Sequence, residues 1–382
     1  MELYVHIPFC RQKCRYCAFA SFPAQEAYFE TYIDLLLQEA QSRKAEAAEQ
    51  ITTIYIGGGT PSLLSALQLN RLVTGLQHTF DLTHITEFTT EANPGTVTED
   101  WLAAAASLGI NRVSFGMQAY QEHLLQLLGR IHCFSDVEKS VFYARHSGID
   151  NISLDLIFGI PGQTADEWDA TAEAALSLNP SHISAYGLIP EEGTPLSRDL
   201  ESGLLKLPDP DTEREMYNRF IIKAGTYGFR QYEISNFARN NRECFHNIGY
   251  WTQIPYIGLG VSAASMSVVR CTPEGISYTR SVNPEKLGLY ESMIRSGRSA
   301  EKEQISPQEA RFETMMLGLR MNCGINEAAF LSRHHLTVEQ CYGRKMAEME
   351  KRGLMIHENG FWKLTARGFD IQNSILVELM DD

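Results

Sequence analysis

Strand-like and helix-like segments alternate along residues 1 to about 227, and this alternation limits the fold more than any other feature of the sequence. Each of six segments rich in Val, Ile and Tyr is followed by a segment with helical periodicity. The predicted strands cover residues 3–7, 53–56, 85–91, 112–115, 152–158 and 182–186. The predicted helices cover roughly residues 24–47, 65–79, 98–108, 135–147, 164–177 and 211–226. Repeated strand–helix units predict an α/β fold with a parallel sheet, and six units are too few for a closed eight-fold barrel. We therefore expect a partial (β/α)6 barrel.

Glycine, proline and polar residues follow the predicted strands, in the loops that lead into the helices. They lie at position 8 and in the segments 57–60, 93–94, 116–118 and 159–162. Parallel α/β proteins bind ligands at the carboxyl ends of their strands. The sequence therefore predicts a ligand site at that edge.

A different pattern begins after residue 231, where the strand–helix alternation stops. Helical segments 307–321, 326–333 and 337–352 precede a predicted hairpin over 354–364 and a last helix, an order that resembles a small winged-helix-like α+β domain. Between Thr337 and Gly368, six Lys or Arg face four Asp or Glu, which is too weak a balance for a phosphate-binding face. The expected organisation is a core barrel over 1–230, a connecting region over 231–306, and a C-terminal packing or docking domain over 307–382.

The charge balance of the 382-residue chain argues against a nucleic-acid partner. Its formal net charge is −14, whereas nucleic-acid binding rests on phosphate neutralisation by Lys and Arg. The first residues form a predicted strand and lack the basic and apolar regions of a signal peptide. The uncharged segment 244–269 is broken by Pro255 and several glycines, so it does not predict a membrane helix. We expect a cytoplasmic protein whose partners are small molecules or proteins.

Three cysteines lie close together on the loop after the first predicted strand. Cys10, Cys14 and Cys17 are spaced by four and three residues, so one tight loop can place three thiolates around a single inorganic core. Structural zinc needs four ligands, and no fourth Cys or His lies near them; the next cysteine is Cys133. Three ligands suit a [4Fe–4S] cluster that keeps one iron open to a substrate-like molecule.

The segment Gly57-Gly58-Gly59-Thr60-Pro61 ends the second predicted strand. It lacks the lysine of a phosphate-binding loop and the six-residue glycine pattern of dinucleotide sites. Glycines at a strand end allow a ligand to approach the backbone closely, although a triple glycine alone is more often a turn.

Polar residues mark the ends of the later predicted strands: Glu91, Gln118, Arg130 and Asp155. A charge that points into a barrel is costly unless it is paired, so Glu91 and Asp155 are better explained by ligand contacts than by packing. Arg130 is predicted on a helix, where a surface position is the alternative.

A Cys-x3-Cys-x2-Cys motif after the first strand of a barrel resembles the signature of the radical S-adenosylmethionine (SAM) superfamily. The resemblance implies that the open iron binds SAM and that one-electron cleavage of SAM yields a 5′-deoxyadenosyl radical. It also implies a radical SAM barrel and an electron donor for the cluster.

Within that superfamily, the motifs together resemble the oxygen-independent coproporphyrinogen III dehydrogenases and their heme-chaperone relatives. The similarity covers residues 6–8, 57–61, 114–118, 155–162, 258–262 and the C-terminal domain. It implies that Tyr4, Gly58 and Glu91 contact the cluster-bound SAM. It further implies that Gly59, Thr60, Gln118, Arg130 and Asp155 match positions that hold a second SAM in the dehydrogenase.

Three departures favour the heme-chaperone branch. Phe19 stands where the dehydrogenase pattern has a fourth cysteine, and no counterpart of the dehydrogenase's N-terminal arm precedes the first strand. Finally, His246, Asn247, Tyr250 and Trp251 reproduce the His-Asn-x-x-Tyr-Trp motif of the chaperones.

The His-Asn-x-x-Tyr-Trp motif suits heme chemically, because imidazole is a common axial ligand and aromatic rings offer flat apolar faces to a porphyrin. A histidine among aromatic residues is also often a core residue, and that alternative stays open. We expect a chaperone that binds a [4Fe–4S] cluster, SAM and heme and passes heme to an acceptor protein. The rival enzyme function is oxidative decarboxylation of coproporphyrinogen III to protoporphyrinogen IX. SAM-dependent modification of tRNA is a more distant rival, which the acidic charge disfavours.

Overall fold

The computed structural model describes residues 1–47, 49–239, 241–272 and 275–380, without the side chains of residues 270–272. None of the helices in these ranges is both long enough and apolar enough to cross a membrane.

The strands are numbered here in chain order. They are β1 (Glu2–Ile7), β2 (Phe9–Cys10), β3 (Phe22–Pro23), β4 (Thr53–Gly58), β5 (Glu87–Ala92), β6 (Arg112–Gln118), β7 (Asn151–Phe158), β8 (His182–Gly187), β9 (Arg230–Gln231), β10 (Asn236–Ala238), β11 (Tyr256–Leu259), β12 (Ala264–Thr272), β13 (Gly275–Val282), β14 (Lys302–Ile305), β15 (Ile325–Asn326), β16 (Met355–Glu358) and β17 (Phe361–Leu364).

The α-helices are numbered in the same way. They are α1 (Phe29–Ser42), α2 (Ala66–Thr79), α3 (Glu99–Ser107), α4 (Glu122–Leu128), α5 (Phe134–His146), α6 (Ala165–Ser177), α7 (Pro195–Glu201), α8 (Pro210–Thr226), α9 (Phe245–Trp251), α10 (Leu287–Arg295), α11 (Pro307–Gly318), α12 (Glu327–His334), α13 (Val338–Lys351), α14 (Ala366–Asp370) and α15 (Gln372–Met380).

Six parallel strands form the centre of the main sheet, in the order β1-β4-β5-β6-β7-β8. These are the six strands predicted from the sequence, each followed by a helix, so the prediction of a partial (β/α)6 barrel is confirmed. All seven residues of β6 are buried, as expected for a parallel strand covered on both faces. Ser65 and Thr164 begin α2 and α6 with capping boxes, which satisfy the free N–H groups of the first turn.

The region after residue 231 extends the same sheet, which the sequence did not predict. β11 pairs in parallel with β1, and β12, β13 and β14 continue from it in antiparallel order. On the opposite side, β10 and β9 follow β8. β11 has only four residues, and the longer β12 and β13 follow it without the strand–helix alternation on which the prediction relied. The division at residue 230 therefore remains a proposal made from sequence.

The C-terminal region packs helices α11–α15 around a three-stranded sheet with the order β15-β17-β16. Its own apolar core includes Met315, Phe330 and Met346. This is the winged-helix-like α+β arrangement expected from the sequence. It contacts the barrel through main-chain hydrogen bonds, such as Ile234 N to Arg320 O at 3.2 Å and Asn322 N to Tyr232 O at 3.0 Å. These contacts hold α11 beside α9.

Candidate functional site

The cysteine loop begins and ends at the short parallel pair β2–β3. Phe9 pairs with Phe22 there, and the N–H of Phe22 donates to the carbonyl of Pro8 at 2.7 Å, which closes the loop. The middle of the loop is held by Arg15, whose N–H donates to Leu128 O at 3.0 Å and whose carbonyl accepts from Leu196 N at 3.0 Å. The ends of α4 and α7 thus keep the loop at the carboxyl edge of the sheet.

Cys10, Cys14 and Cys17 all line one cavity of about 420 Å³ at that edge, called here the main cavity. Thr60 Oγ1 donates to Cys10 Sγ at 3.6 Å, and a guanidinium nitrogen of Arg130 donates to Cys14 Sγ at 3.5 Å. Burial raises the pKa of the Cys10 and Cys17 thiols. Within the described residues, no three His, Cys, Asp or Glu side chains are gathered closely enough to hold a single metal ion. Three thiols that line one cavity fit a [4Fe–4S] core, which is held by cysteine thiolates, whereas structural zinc needs four ligands.

The glycines after β4 allow the cysteine loop to approach this strand. Gly58 has a φ of +108°, and a Cβ there would lie 2.4 Å from the ring of His6. A Cβ on Gly59 would lie 2.6 Å from the carbonyl oxygen of Phe9. Both glycines line the main cavity. Their first role is therefore to let the chain pack against itself, and this packing leaves their backbone at the ligand surface.

Two buried carboxyl groups lie in the main cavity, as the sequence predicted. Glu91 accepts hydrogen bonds from Gly58 N at 2.9 Å and from the Tyr55 hydroxyl at 2.8 Å. Burial raises the pKa of Glu91 to about 7, against these hydrogen bonds. Asp155 accepts from Ser114 Oγ at 2.9 Å, and burial raises its pKa as well. A cationic or hydroxyl-bearing ligand would lower both pKa values by favouring the charged forms.

Arg130 follows α4 rather than lying on a helix, and it is not a surface residue as the alternative supposed. One of its guanidinium nitrogens donates to Asn93 Oδ1 at 2.7 Å and to Gly116 O at 2.8 Å. The other reaches Cys14, so Arg130 joins the cysteine loop to the ends of β5 and β6. Gly129, in the left-handed region at φ +75°, ends α4 and turns the chain so that Arg130 enters the cavity.

Gln118 and Thr60 complete the set of predicted polar residues at the strand ends. Gln118 lines the main cavity with a φ of +64°, which is unusual for a residue other than glycine and indicates a constrained site. Thr60 is 2% exposed, and its hydroxyl accepts from Asn93 Nδ2 at 2.8 Å. Buried polar contacts therefore lie directly beside the cysteines.

Several residues of the main cavity were missed by sequence reasoning. The most notable is Arg112, which is 2% exposed and reaches the cavity from the first position of β6. Its Nε is buried without a hydrogen-bond partner among the described residues. Tyr55, Asn93 and Tyr186 also line the cavity. A charged residue directly before the apolar run of β6 was the available signal for Arg112.

Tyr4 is not placed with the other SAM candidates. Its side chain lines a second cavity of about 500 Å³, and its hydroxyl is 2.9 Å from His6 Nδ1. We call this second cavity the aromatic cleft. Ala18 and Phe19 line both cavities, so the end of the cysteine loop separates them. The ring centre of Tyr4 also lies 6.2 Å from that of Tyr55, which lines the main cavity, and the expectation that Tyr4 contacts SAM stays a prediction.

The His-Asn-x-x-Tyr-Trp motif forms α9, which lies between the two cavities. Asn247 lines the main cavity, and Tyr250 lines the aromatic cleft. Trp251 stacks beneath the guanidinium of Arg320, whose central carbon is 5.3 Å from its ring centre. The motif therefore contacts both cavities and the C-terminal region.

His246 itself is buried, with 1% exposure. Its Nδ1 is 2.8 Å from the Thr53 hydroxyl, and its Nε2 is 3.0 Å from the Tyr250 hydroxyl. Its ring also stacks on Tyr55, with centres 5.2 Å apart. Both ring nitrogens are thus occupied, and the geometry matches the alternative of a core histidine rather than an exposed iron ligand.

Comparison with known proteins supports the class that the fold and site define. The sequence profile of the Radical SAM superfamily matches residues 4–175, and that of the HemN C-terminal domain matches residues 305–371. The solved structure described as coproporphyrinogen III oxidase (HemN) from Escherichia coli, a radical SAM enzyme, superposes with a TM-score of 0.83. It is 22% identical and is matched over 99% of this chain and 89% of that one. The protein is a radical SAM protein with a HemN-like fold.

Curated relatives show which family within the radical SAM proteins the chain belongs to. Heme chaperone HemW of Lactococcus lactis is 33% identical over 99% of this chain and 97% of its own length. Heme chaperone HemW of Bacillus subtilis is 34% identical over 97% of both chains. The chain belongs to the HemW family.

Proposed function

We propose that this protein is a heme chaperone built on a radical SAM barrel. It binds a [4Fe–4S] cluster, SAM and heme, and it transfers the heme to an acceptor protein. The observation that carries the proposal is the set of three thiols that line one cavity, in a chain that aligns almost end to end with proteins named heme chaperone HemW. We further propose that it works in the cytoplasm.

The cluster would be held by Cys10, Cys14 and Cys17, with Arg130 and Thr60 donating hydrogen bonds to the sulfur atoms. Such donors offset the negative charge of thiolate-bound iron and tune its potential. When bound, the cluster and SAM supply one-electron cleavage chemistry, for which an electron donor is required.

SAM would occupy the main cavity against the backbone of Gly58 and Gly59, with Glu91 as an acceptor for its polar groups. Thr60, Gln118, Arg130 and Asp155 offer further polar contacts, and all but Thr60 line the same cavity. Glu91 is positioned by Gly58 N and Tyr55, so its carboxyl group is oriented before a ligand binds.

The rival function, decarboxylation of coproporphyrinogen III, shares this fold. The side chain at the position of the dehydrogenase's fourth cysteine is Phe19, which is 67% exposed and offers no thiol. The structural match to HemN shows a shared fold and leaves the reaction to be tested.

The test is anaerobic purification with reconstituted cluster, followed by parallel assays for heme binding and porphyrinogen turnover. The proposal expects about four irons per chain, SAM binding, a saturable heme spectrum and no protoporphyrinogen from coproporphyrinogen III. Turnover of coproporphyrinogen at about 0.1 per second or faster would instead establish the enzyme function.

A further inference from the structure

We infer that the aromatic cleft, and not the main cavity, is where heme docks, with its propionates directed at Gln253 and Arg280. This inference rests on the proposed function and assigns the site of the heme. The aromatic cleft is lined by Tyr4, His6, Ala18, Phe19, Ala20, Tyr250, Gln253, Tyr256, Ser262, Ala264, Met266, Arg280 and Leu317. Its volume of about 500 Å³ lies in the range of pockets that enclose cofactor-sized ligands.

Residues of β11, β12 and β13 form the floor of the cleft. Tyr256 pairs with Met266, and Met266 pairs with Arg280, so these three side chains form one row across the strands. Alternate residues along a strand share a face, which places Ala264 and Gly258 in the next row. Gly258 has no side chain, and a Cβ there would lie 2.0 Å from the carbonyl oxygen of Ala264. The small residues Gly258 and Ala264 beside Tyr256 and Met266 leave room for the apolar face of a porphyrin against these strands.

The walls of the cleft add aromatic edges to that floor. Tyr250 of α9 packs edge-on against Tyr256, with ring centres 4.8 Å apart. Nε2 of His246 lies 3.0 Å from the Tyr250 hydroxyl, within hydrogen-bond distance. We assign His246 as a positioning residue, which orients an aromatic wall without touching the ligand. Phe19 and Leu317 bound the cleft from the cysteine loop and from α11.

Gln253 lines the cleft and carries an unused hydrogen-bond donor. It is 2% exposed and has a φ of +57°, in the left-handed region. Its Oε1 accepts hydrogen bonds from Thr314 and from Arg333, the latter at 3.2 Å, so the C-terminal helices orient the amide. Its Nε2 is buried with no hydrogen-bond partner among the described residues. A buried donor without a partner costs stability, and a ligand carboxylate would satisfy it.

Arg280 supplies the positive charge. It lies on β13 and donates to Glu313 of α11 at 2.8 Å. A guanidinium has five N–H groups in a planar fork, so a contact with Glu313 leaves donors for a second carboxylate. Heme is a largely apolar ring that carries two propionate carboxylates. It matches a cleft with an apolar floor, an amide donor from Gln253 and a guanidinium from Arg280. The aromatic cleft would bind a flat ligand without carboxylates less tightly than heme.

The experiment is a hemin titration followed by Soret absorbance, on the full-length protein and two variants. Arg280→Gln and Gln253→Met each remove a proposed propionate donor, and each should weaken hemin binding by about tenfold, the usual effect of a charge-assisted or buried hydrogen bond. Arg295→Gln is the matched control, because it breaks an exposed Arg–Glu pair with Glu291 on α10. It should bind hemin as the wild type does.

A second measurement needs no variant. Hemin dimethyl ester, whose propionates are uncharged, should bind the wild-type protein about tenfold more weakly than hemin. Equal affinity for hemin and its ester, or variants that bind hemin like the wild type, would overturn the assignment to the cleft while leaving heme binding intact. A wild-type protein that binds no hemin would overturn both the cleft and the proposed function.

Discussion

Nδ1 of His246 lies 3.9 Å from Oε2 of Glu2, and both side chains are 1% exposed. Burial raises the pKa of Glu2 to about 8 and lowers the pKa of His246 to about 3. Near pH 7 both groups are therefore uncharged, and the contact is a neutral one inside the barrel. The contact joins α9 to β1 inside the core.

The pH dependence of stability follows from Glu2. The folded protein keeps the Glu2 proton up to about pH 8, whereas the unfolded chain releases it near its ordinary pKa of 4.5, so stability falls as pH rises between these values. His246 acts in the opposite direction, but only below its ordinary pKa of 6.5. Between pH 6.5 and 8, Glu2→Gln should therefore remove a fall in the free energy of unfolding of up to about 1.4 kcal/mol per pH unit, and with it a fall in melting temperature. Thermal melts across this range test it, with the exposed Glu285→Gln as control. An unchanged pH slope in Glu2→Gln would contradict the neutral carboxyl.

His246→Ala distinguishes a core histidine from an iron ligand. Loss of the Thr53 and Tyr250 contacts and of packing on Tyr55 should destabilise the fold by about 1–3 kcal/mol. We expect the Soret maximum of bound heme to stay where it is, because Thr53 and Tyr250 already engage both ring nitrogens of His246. Melts and heme spectra on the same samples test both points. A shifted Soret band in a variant that still folds would restore His246 as a ligand.

Substitution of any cluster cysteine should abolish the iron site. Cys14→Ala should lose about four irons per chain together with the broad absorbance of the cluster, because three thiolates share one core. Cys323→Ala is the matched control, since that thiol is exposed and lies in the C-terminal region. Iron analysis after anaerobic reconstitution gives the result. Native zinc, or full iron in Cys14→Ala, would exclude the cluster assignment.

Gly58→Ala should damage the main cavity. The added methyl group would lie 2.4 Å from the His6 ring at a φ of +108°, so the β4 loop must move away from β1. We expect a loss of at least 1 kcal/mol in stability and weaker SAM binding, measured by thermal melt and calorimetric titration. Gly288→Ala is the control, because a Cβ in α10 meets nothing within 4 Å. Equal stability and equal SAM binding in Gly58→Ala and Gly288→Ala would contradict the need for a glycine beside the His6 ring.

The sequence alone predicted the barrel and the position of the cysteine loop after its first strand. The six strand–helix units can be read locally. Strands that are buried on both faces form short apolar runs, and helices that are buried on one face repeat apolar residues at helical spacing. The same local logic placed Cys10 and Glu91 at strand ends and Asp155 within a strand, and the carboxyl edge of a parallel sheet brings strand ends together.

Tertiary structure decided what lies on each side of the cysteine loop. Tyr4, Tyr250 and Arg280 meet in the aromatic cleft although they are far apart in the chain, because β11 pairs with β1 and brings β12 and β13 with it. The burial of His246 likewise depends on Thr53 and Tyr250 packing around its ring. A motif specifies which side chains are present, but the exposure of a side chain is a property of every element that packs against it.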